Sequence, residues 1–205
     1  MSDIYHDGHR QLHDRFDTRR LADRLDEGIV HDTIDPDDKA FIERVDMFFL
    51  ATVDDRGRVN CSYRGGEPGF VRVVDERTIA FPNYDGNGMY LSMGNVVRTG
   101  QAGLLFVDFE NQLRMRLNGE ATIDDHDPLM AEYAEAQFIV RVRAREIFPN
   151  CRRYIHQMKL VQRSRFVPQP ECRTPVPGWK TGQGIQEVLP THDPARDKTR
   201  EVIDR

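Results

Sequence analysis

The chain has 205 residues and a formal net charge of −5, from 29 basic and 34 acidic side chains. That length suits one domain with extensions, large enough to bury a core. No basic block stands apart from acidic neighbours, which argues against a nucleic-acid binder, and no apolar run approaches the roughly 18 residues of a membrane span.

The opening residues, MSDIYHDGHR, carry no apolar signal region. The three cysteines, Cys61, Cys151 and Cys172, are odd in number and show no C-x-x-C spacing. They read as reduced thiols of a cytoplasmic protein, neither a disulfide framework nor a metal site.

Residues 9 to 27 are polar with a helical pattern. Leu12, Phe16, Leu21 and Leu25 are spaced for one face, and Gly28 would end the helix. Such a helix would lie on the surface of the domain or of a partner subunit. His9 and His13 have a spacing that suits a metal, but no third ligand accompanies them and a solvated face explains them. Asp35 followed by Pro36 predicts a helix start, continuing through Phe41, Ile42 and Val45.

A series of strands follows. Phe48 to Val53 is a strand, and Asp54-Asp55-Arg56-Gly57 turns it into Val59 to Tyr63, with Gly57 in the left-handed position. After a break at Arg64-Gly65-Gly66, residues 70–74 and 78–81 form the next pair. A polar loop then runs from Pro82 to Gly88 into a helix over 89–98. Both glycine-bearing loops follow apolar strands, and the second opens a helix, so backbone N–H groups and small polar side chains there could receive an anion.

Residues 102–109 and 113–123 form another strand pair, with Leu113, Met115 and Leu117 alternating against Arg114, Arg116 and Asn118. Asp124-Asp125-His126-Asp127 has metal-ligand chemistry, but it precedes Pro128 and reads as the start of a helix through about Ala136. Residues 138–148 are the last strand, and residues 152–163 are expected as a helix. Prolines at 168, 170, 175, 177, 190 and 194 predict a loosely structured tail. The expected organisation is an N-terminal helical extension (1–34), a β-rich domain (35–165) and the Pro-rich tail (166–205). Its class is mainly β with inserted helices. Six or seven antiparallel strands favour a closed or nearly closed barrel, because closure removes exposed edges.

At these residues the chain resembles the pyridoxamine phosphate oxidase superfamily of FMN-binding split β-barrels, over about residues 36 to 160. The resemblance rests on FFLATVDDRGRVNCSYRGG, on Pro68-Gly69-Phe70-Val71, on Gly86-Asn87, and on Gly103-Leu104-Leu105-Phe106. Arg116-Leu117-Asn118-Gly119 and Phe148-Pro149-Asn150-Cys151 with Arg153-Tyr154 add to it. It is nearer to the branch of probable FMN-dependent enzymes than to the oxidase itself. The resemblance implies a homodimer with FMN at the subunit interface. In the oxidase an Arg-Lys pair holds the FMN phosphate. Asn87 and Gly88 stand there in this chain, and Arg64 is the candidate replacement cation.

A flavin site needs donors for the phosphate, flat apolar walls for the ring, and a cation near its electron-accepting end. Ser62, Arg64, Asn87 and the backbone around Gly86-Asn87-Gly88 are candidates for the first. Phe81, Pro82 and Met93 are candidates for the second, and Arg114 or Arg116 for the third, with Asn83 and Asn95 completing the cofactor-binding set. Arg114 and Arg116 also fit the solvent face of a strand. Cys61 reads as a small strand filler, Tyr84 as a turn aromatic, and Trp179 and Lys180 as residues that either cover the flavin or touch nothing. No Ser-His-Asp set, Walker loop or dinucleotide G-x-G-x-x-G is present. The function implied is an FMN-dependent oxidoreductase acting on an unknown small molecule. The alternatives are a flavin-binding or sensing protein without turnover, and a barrel holding a deazaflavin or a heme, the latter through His156 or His126.

Overall fold

The structure, a computed structural model, describes residues 4–204. The N-terminal extension forms two helices instead of one, α1 (Asp7–Arg15) and α2 (Arg19–Ile29). Asp17 takes a left-handed conformation (φ 52°) between them, which a short polar side chain tolerates. Asp14 grips Arg19 across the break at 2.6 and 2.7 Å. Gly28 lies inside α2 and does not end it. Leu12, Phe16, Leu21 and Leu25 are all exposed, so none of the described residues covers that apolar set. Helix α3 (Pro36–Arg44) starts as expected: Asp35 accepts from the Asp38 amide, Asp38 caps back, and Pro36 fills the first turn.

Seven strands follow: β1 (Met47–Val53), β2 (Val59–Gly65), β3 (Arg72–Asp75), β4 (Thr78–Asn83), β5 (Gln101–Asp108), β6 (Leu113–Asp124) and β7 (Phe138–Pro149). Between β4 and β5 lies α4 (Leu91–Thr99). All strand pairs are antiparallel, in the order β2-β1-β5-β6-β7-β4-β3. The sheet curls onto itself. Three strands separate β1 from β4 along it, yet the Phe48 and Phe81 rings meet edge to face at 5.0 Å. Phe106 and Phe70 also pack on Phe48, and these fully or nearly fully buried rings form the centre of the core. A bulge between Asn118 and Gly119 sharpens the curl. A Cβ on Gly119 would lie 2.0 Å from the Arg143 carbonyl oxygen, so only glycine fits there. This is the mainly β, seven-stranded antiparallel split barrel that the sequence pattern and resemblance imply.

Three further local expectations need correction. Pro82 and Asn83 belong to β4, opposite Ile139 and Phe138, and not to the loop. Strand β3 no longer accompanies β4 at that point, and such an edge position tolerates a residue without an N–H. The helix expected after Asp127 is only a 3₁₀ turn, Pro128–Glu132. Glu135 then adopts φ 57° as the chain reverses into β7. Residues 152–163 form no helix. Tyr154 has φ 70°, and the backbone is tied to the 109–112 turn by Met158 N to Phe109 O (3.2 Å) and Gln112 Nε2 to Ile155 O (2.7 Å).

The tail is also more ordered than its prolines predict. Short strands β8 (Val176–Pro177) and β9 (Val202–Ile203) pair in parallel, with the one-turn helix α5 (Ile185–Val188) between them. Among the described residues no helix is long and apolar enough to cross a membrane.

Candidate functional site

Strand β2 inverts the usual pattern of a barrel strand. Its apolar members Val59 and Tyr63, with Cys61, are exposed, whereas Asn60, Ser62 and Arg64 turn inward. Cys61 therefore lies on the outer face and fills no core space. The inward stripe meets α4 and the end of β4. Ser92, on the first turn of α4, receives a hydrogen bond from Asn60 Nδ2 (2.8 Å) and lies 3.0 Å from the Ser62 hydroxyl. Arg64 Nη1 donates to Asn83 Oδ1 at 2.9 Å, which bridges the two margins of the curled sheet.

Together these elements and the 84–90 loop enclose a cleft of about 200 Å³. Ser62, Arg64, Asn87 and Gly88, the four residues expected at the phosphate, all line it, together with Asn83 and Met93. Gly88 is in the left-handed region (φ 74°), where its loop turns into α4. Tyr90 at the N-cap is also left-handed (φ 48°) and provides no capping side chain. The amides of Leu91, Ser92 and Met93 are thus left without intrahelical partners at the cleft, and the helix dipole adds positive potential.

Arg64 is the dominant charge. No carboxylate among the described residues pairs with it. Its Nε is buried without a partner, and burial alone pushes its pKa below the usual arginine value. A buried cation whose only hydrogen-bond acceptor is an amide oxygen is costly unless a ligand completes it. An Arg fork, open helix amides and hydroxyls on one cleft form a receptor for a phosphate-sized anion.

The other expected residues fall elsewhere. Phe81 is wholly inside the core against Phe48, and Pro82 is buried in β4. Asn95 donates to Thr52 Oγ1 (3.1 Å) and ties α4 to β1. Arg114 and Arg116 on β6 do not line the cleft. Arg116 is exposed, with its guanidinium 6.0 Å from the Phe148 ring centroid, and Arg114 has a buried, unpartnered Nε. His126 is exposed and bonded to Asp125 (2.6 Å), and His156 is exposed. Asp127 caps the 3₁₀ turn and is clamped by Arg141, whose hydrogen bond holds the carboxyl below its usual range.

Sequence reasoning passed over Asn60 and Ser92, although the alternation of polar 60, 62 and 64 with apolar neighbours marks a strand with a polar inner face. It also left Tyr84 as a turn aromatic. Its hydroxyl has no hydrogen-bond partner among the described residues, and burial first, with Tyr133 nearby, pushes its pKa up to about 12. It therefore stays a neutral donor. No sequence signal pointed to a second, larger chamber of about 480 Å³ built by the tail, which shares Tyr84, Gly86 and Asn87 with the cleft. Trp179 lines it, and Lys180 is clamped between Asp85 (2.6 Å) and Asp193 (2.8 Å).

Residues 34–163 match the family described as pyridoxamine 5'-phosphate oxidase. No curated protein matches the chain. Similar solved structures include an FMN-binding protein from Syntrophomonas wolfei subsp. wolfei, at 14% identity and TM-score 0.45, covering 69% of this chain and 97% of that one. HupZ from Group A Streptococcus has 20% identity and TM-score 0.46, covering 57% and 93%. HutZ, the heme storage protein from Vibrio cholerae, has 17% identity and TM-score 0.39, covering 58% and 91%. At these identities and scores they say nothing about what this chain binds.

Proposed function

Since the chain belongs to the pyridoxamine 5'-phosphate oxidase family, we propose that it is a cytoplasmic, homodimeric FMN protein that oxidises or reduces a small organic molecule. The observation that carries this reading is Arg64, a buried guanidinium without a carboxylate in a cleft lined by open helix amides. The residues present suit the phosphate end of FMN. Arg64 would supply the charge, the amides of 91–93 and the hydroxyls of Ser62 and Ser92 the remaining donors, and Gly88 the turn that opens the loop. When bound, FMN supplies hydride or electron transfer.

A cleft of about 200 Å³ is smaller than the roughly 300–1,000 Å³ of a pocket that encloses a cofactor. The flavin ring would then extend past the cleft and need another wall. Val59 and Tyr63 on the outer face of β2, and Val97 on α4, are exposed apolar residues that a second subunit would cover. Asn87-Gly88 in place of two cations removes the charge that the oxidase directs at its cofactor, so the family name does not carry its substrate to this chain.

The test is a titration of apo-protein with FMN, followed by flavin fluorescence and absorption, with light scattering on the same sample. Binding at or below tens of micromolar, about −6 kcal/mol, and a particle of twice the chain mass are expected. Failure to bind at that level sinks the reading. A heme absorption band in the purified protein would replace FMN with heme.

A further inference from the structure

The tail chamber differs in chemistry from the cleft it adjoins. Its walls are flat and apolar, from Phe166, Pro168, Pro175, Pro177 and Trp179. Its volume of about 480 Å³ lies within the range of small-molecule sites. Its charges are already matched. Lys180 is held by Asp85 and by Asp193 behind it, and Arg200 by Glu135 at 2.8 Å, so both the lysine and the arginine of the lining are already paired. An anion entering would meet no lysine or arginine among the described residues that is not already held by a carboxylate. Among the neutral hydrogen-bonding groups of the lining are the buried Thr174 Oγ1, which has no partner, and the Tyr84 hydroxyl.

We propose that this chamber binds the organic substrate, and that the substrate is an uncharged, planar aromatic molecule bearing a hydroxyl or carbonyl group. The proposal rests on the FMN reading for the word substrate, since the shared wall of Tyr84, Gly86 and Asn87 places the chamber beside the cofactor cleft. Proline and aromatic faces sandwich the ring. Thr174 and Tyr84 satisfy its polar group, which also relieves the unpartnered Thr174 hydroxyl. Lys180 is a positioning residue: its ion pair with Asp85 fastens the tail to the loop that carries Asn87 and Gly88.

Trp179 is the only tryptophan in the chain, so its indole N–H gives one assigned NMR signal inside the proposed site. The full-length protein without FMN is titrated with 2-naphthol, which is neutral, and with 2-naphthoate, which is anionic. Saturable movement of the indole signal by 2-naphthol is expected, with 2-naphthoate at least tenfold weaker. Ala195→Trp, which fills the chamber, should abolish the response. Thr174→Val, which preserves shape, should weaken it at least threefold. Both should leave FMN affinity unchanged.

No shift with millimolar 2-naphthol overturns the proposal, as does equal binding of the two probes or an undiminished response in Thr174→Val. Displacement of 2-naphthol by FMN also overturns it, because the chamber would then hold the flavin ring. The FMN titration is a separate measurement. Naphthol binding without FMN binding supports the chamber while overturning the cofactor reading, and FMN binding without naphthol binding does the reverse.

Discussion

The molecule carries two cations drawn away from water that come from distant parts of the chain: the half-buried Arg64 from a barrel strand and the buried Lys180 from the Pro-rich tail. Lys180 has two carboxylates within 2.8 Å, and although burial lowers its pKa, the hydrogen bonds it donates to Asp193 and Asp85 and their charges raise it above its usual value. Among the described residues Arg64 has one amide oxygen as its hydrogen-bond acceptor and no carboxylate, and its pKa moves the other way. The difference separates structure from function. A cation compensated inside the chain is a fastening, while one left uncompensated is stabilised by something the chain does not supply.

The comparison can be broken most sharply at Lys180. Lys180→Met strands Asp193, which is almost wholly buried, and removing one partner of such a group costs about 3–5 kcal/mol. We expect a lower urea midpoint and faster proteolysis within residues 166–204. A variant as stable as the wild type would mean that the clamp fastens nothing.

Arg64→Met should behave in the opposite way. Without ligand it should cost less than about 1 kcal/mol, because the lost Asn83 hydrogen bond is offset by relief of a buried charge. In the FMN titration it should weaken binding about ten- to a hundredfold, from roughly 1.5–3 kcal/mol for a hydrogen bond to a charged group. Riboflavin, which lacks the phosphate, should be unaffected. An unchanged ratio of FMN to riboflavin affinity would show that Arg64 does not touch the phosphate.

Gly88→Val tests the loop between the two cations. A β-branched residue at φ 74° is strained by about 1–2 kcal/mol, so FMN affinity should fall several-fold. An affinity equal to wild type would detach this turn from the site.

The smallest effect is expected at His31, far from both. Burial lowers its pKa, but the hydrogen bond to Asp38, at 2.6 Å, the bond to the Ile29 carbonyl and the charges of Asp38 and Asp35 together outweigh it, so the folded value lies above the usual histidine value. Its contribution is complete below the unfolded pKa and is lost as pH rises through the folded value. Docking of the extension beside β7, where His31 and Ile147 exchange backbone hydrogen bonds, should weaken by under about 1 kcal/mol above neutral pH. Thermal melts of His31→Gln should lack that pH dependence, and an identical dependence in the variant would remove His31 as its source.

Local chemistry in the sequence was enough for the barrel. Alternation over 47–65 and 101–124, the Asp54–Gly57 turn and the Asp35-Pro36 cap each act over a few residues, so their outcome is written in neighbouring positions. The anion cleft was legible in part for the same reason, since Ser62, Arg64, Asn87 and Gly88 flank two recognisable turns. Other features depended on contacts distant in sequence. Asp17 split a helical pattern, and residues 152–163 exchanged helical hydrogen bonds for contacts with the 109–112 turn. Phe81 went to the core, because curling the sheet brought it against Phe48. Lys180 met Asp85 across 95 positions, and that one pair turned a Pro-rich tail into the wall of a chamber. Periodicity and turn propensity describe how a segment folds on itself. They carry no information about which distant charge a buried lysine will find, and that choice was made only when the tail closed over the barrel.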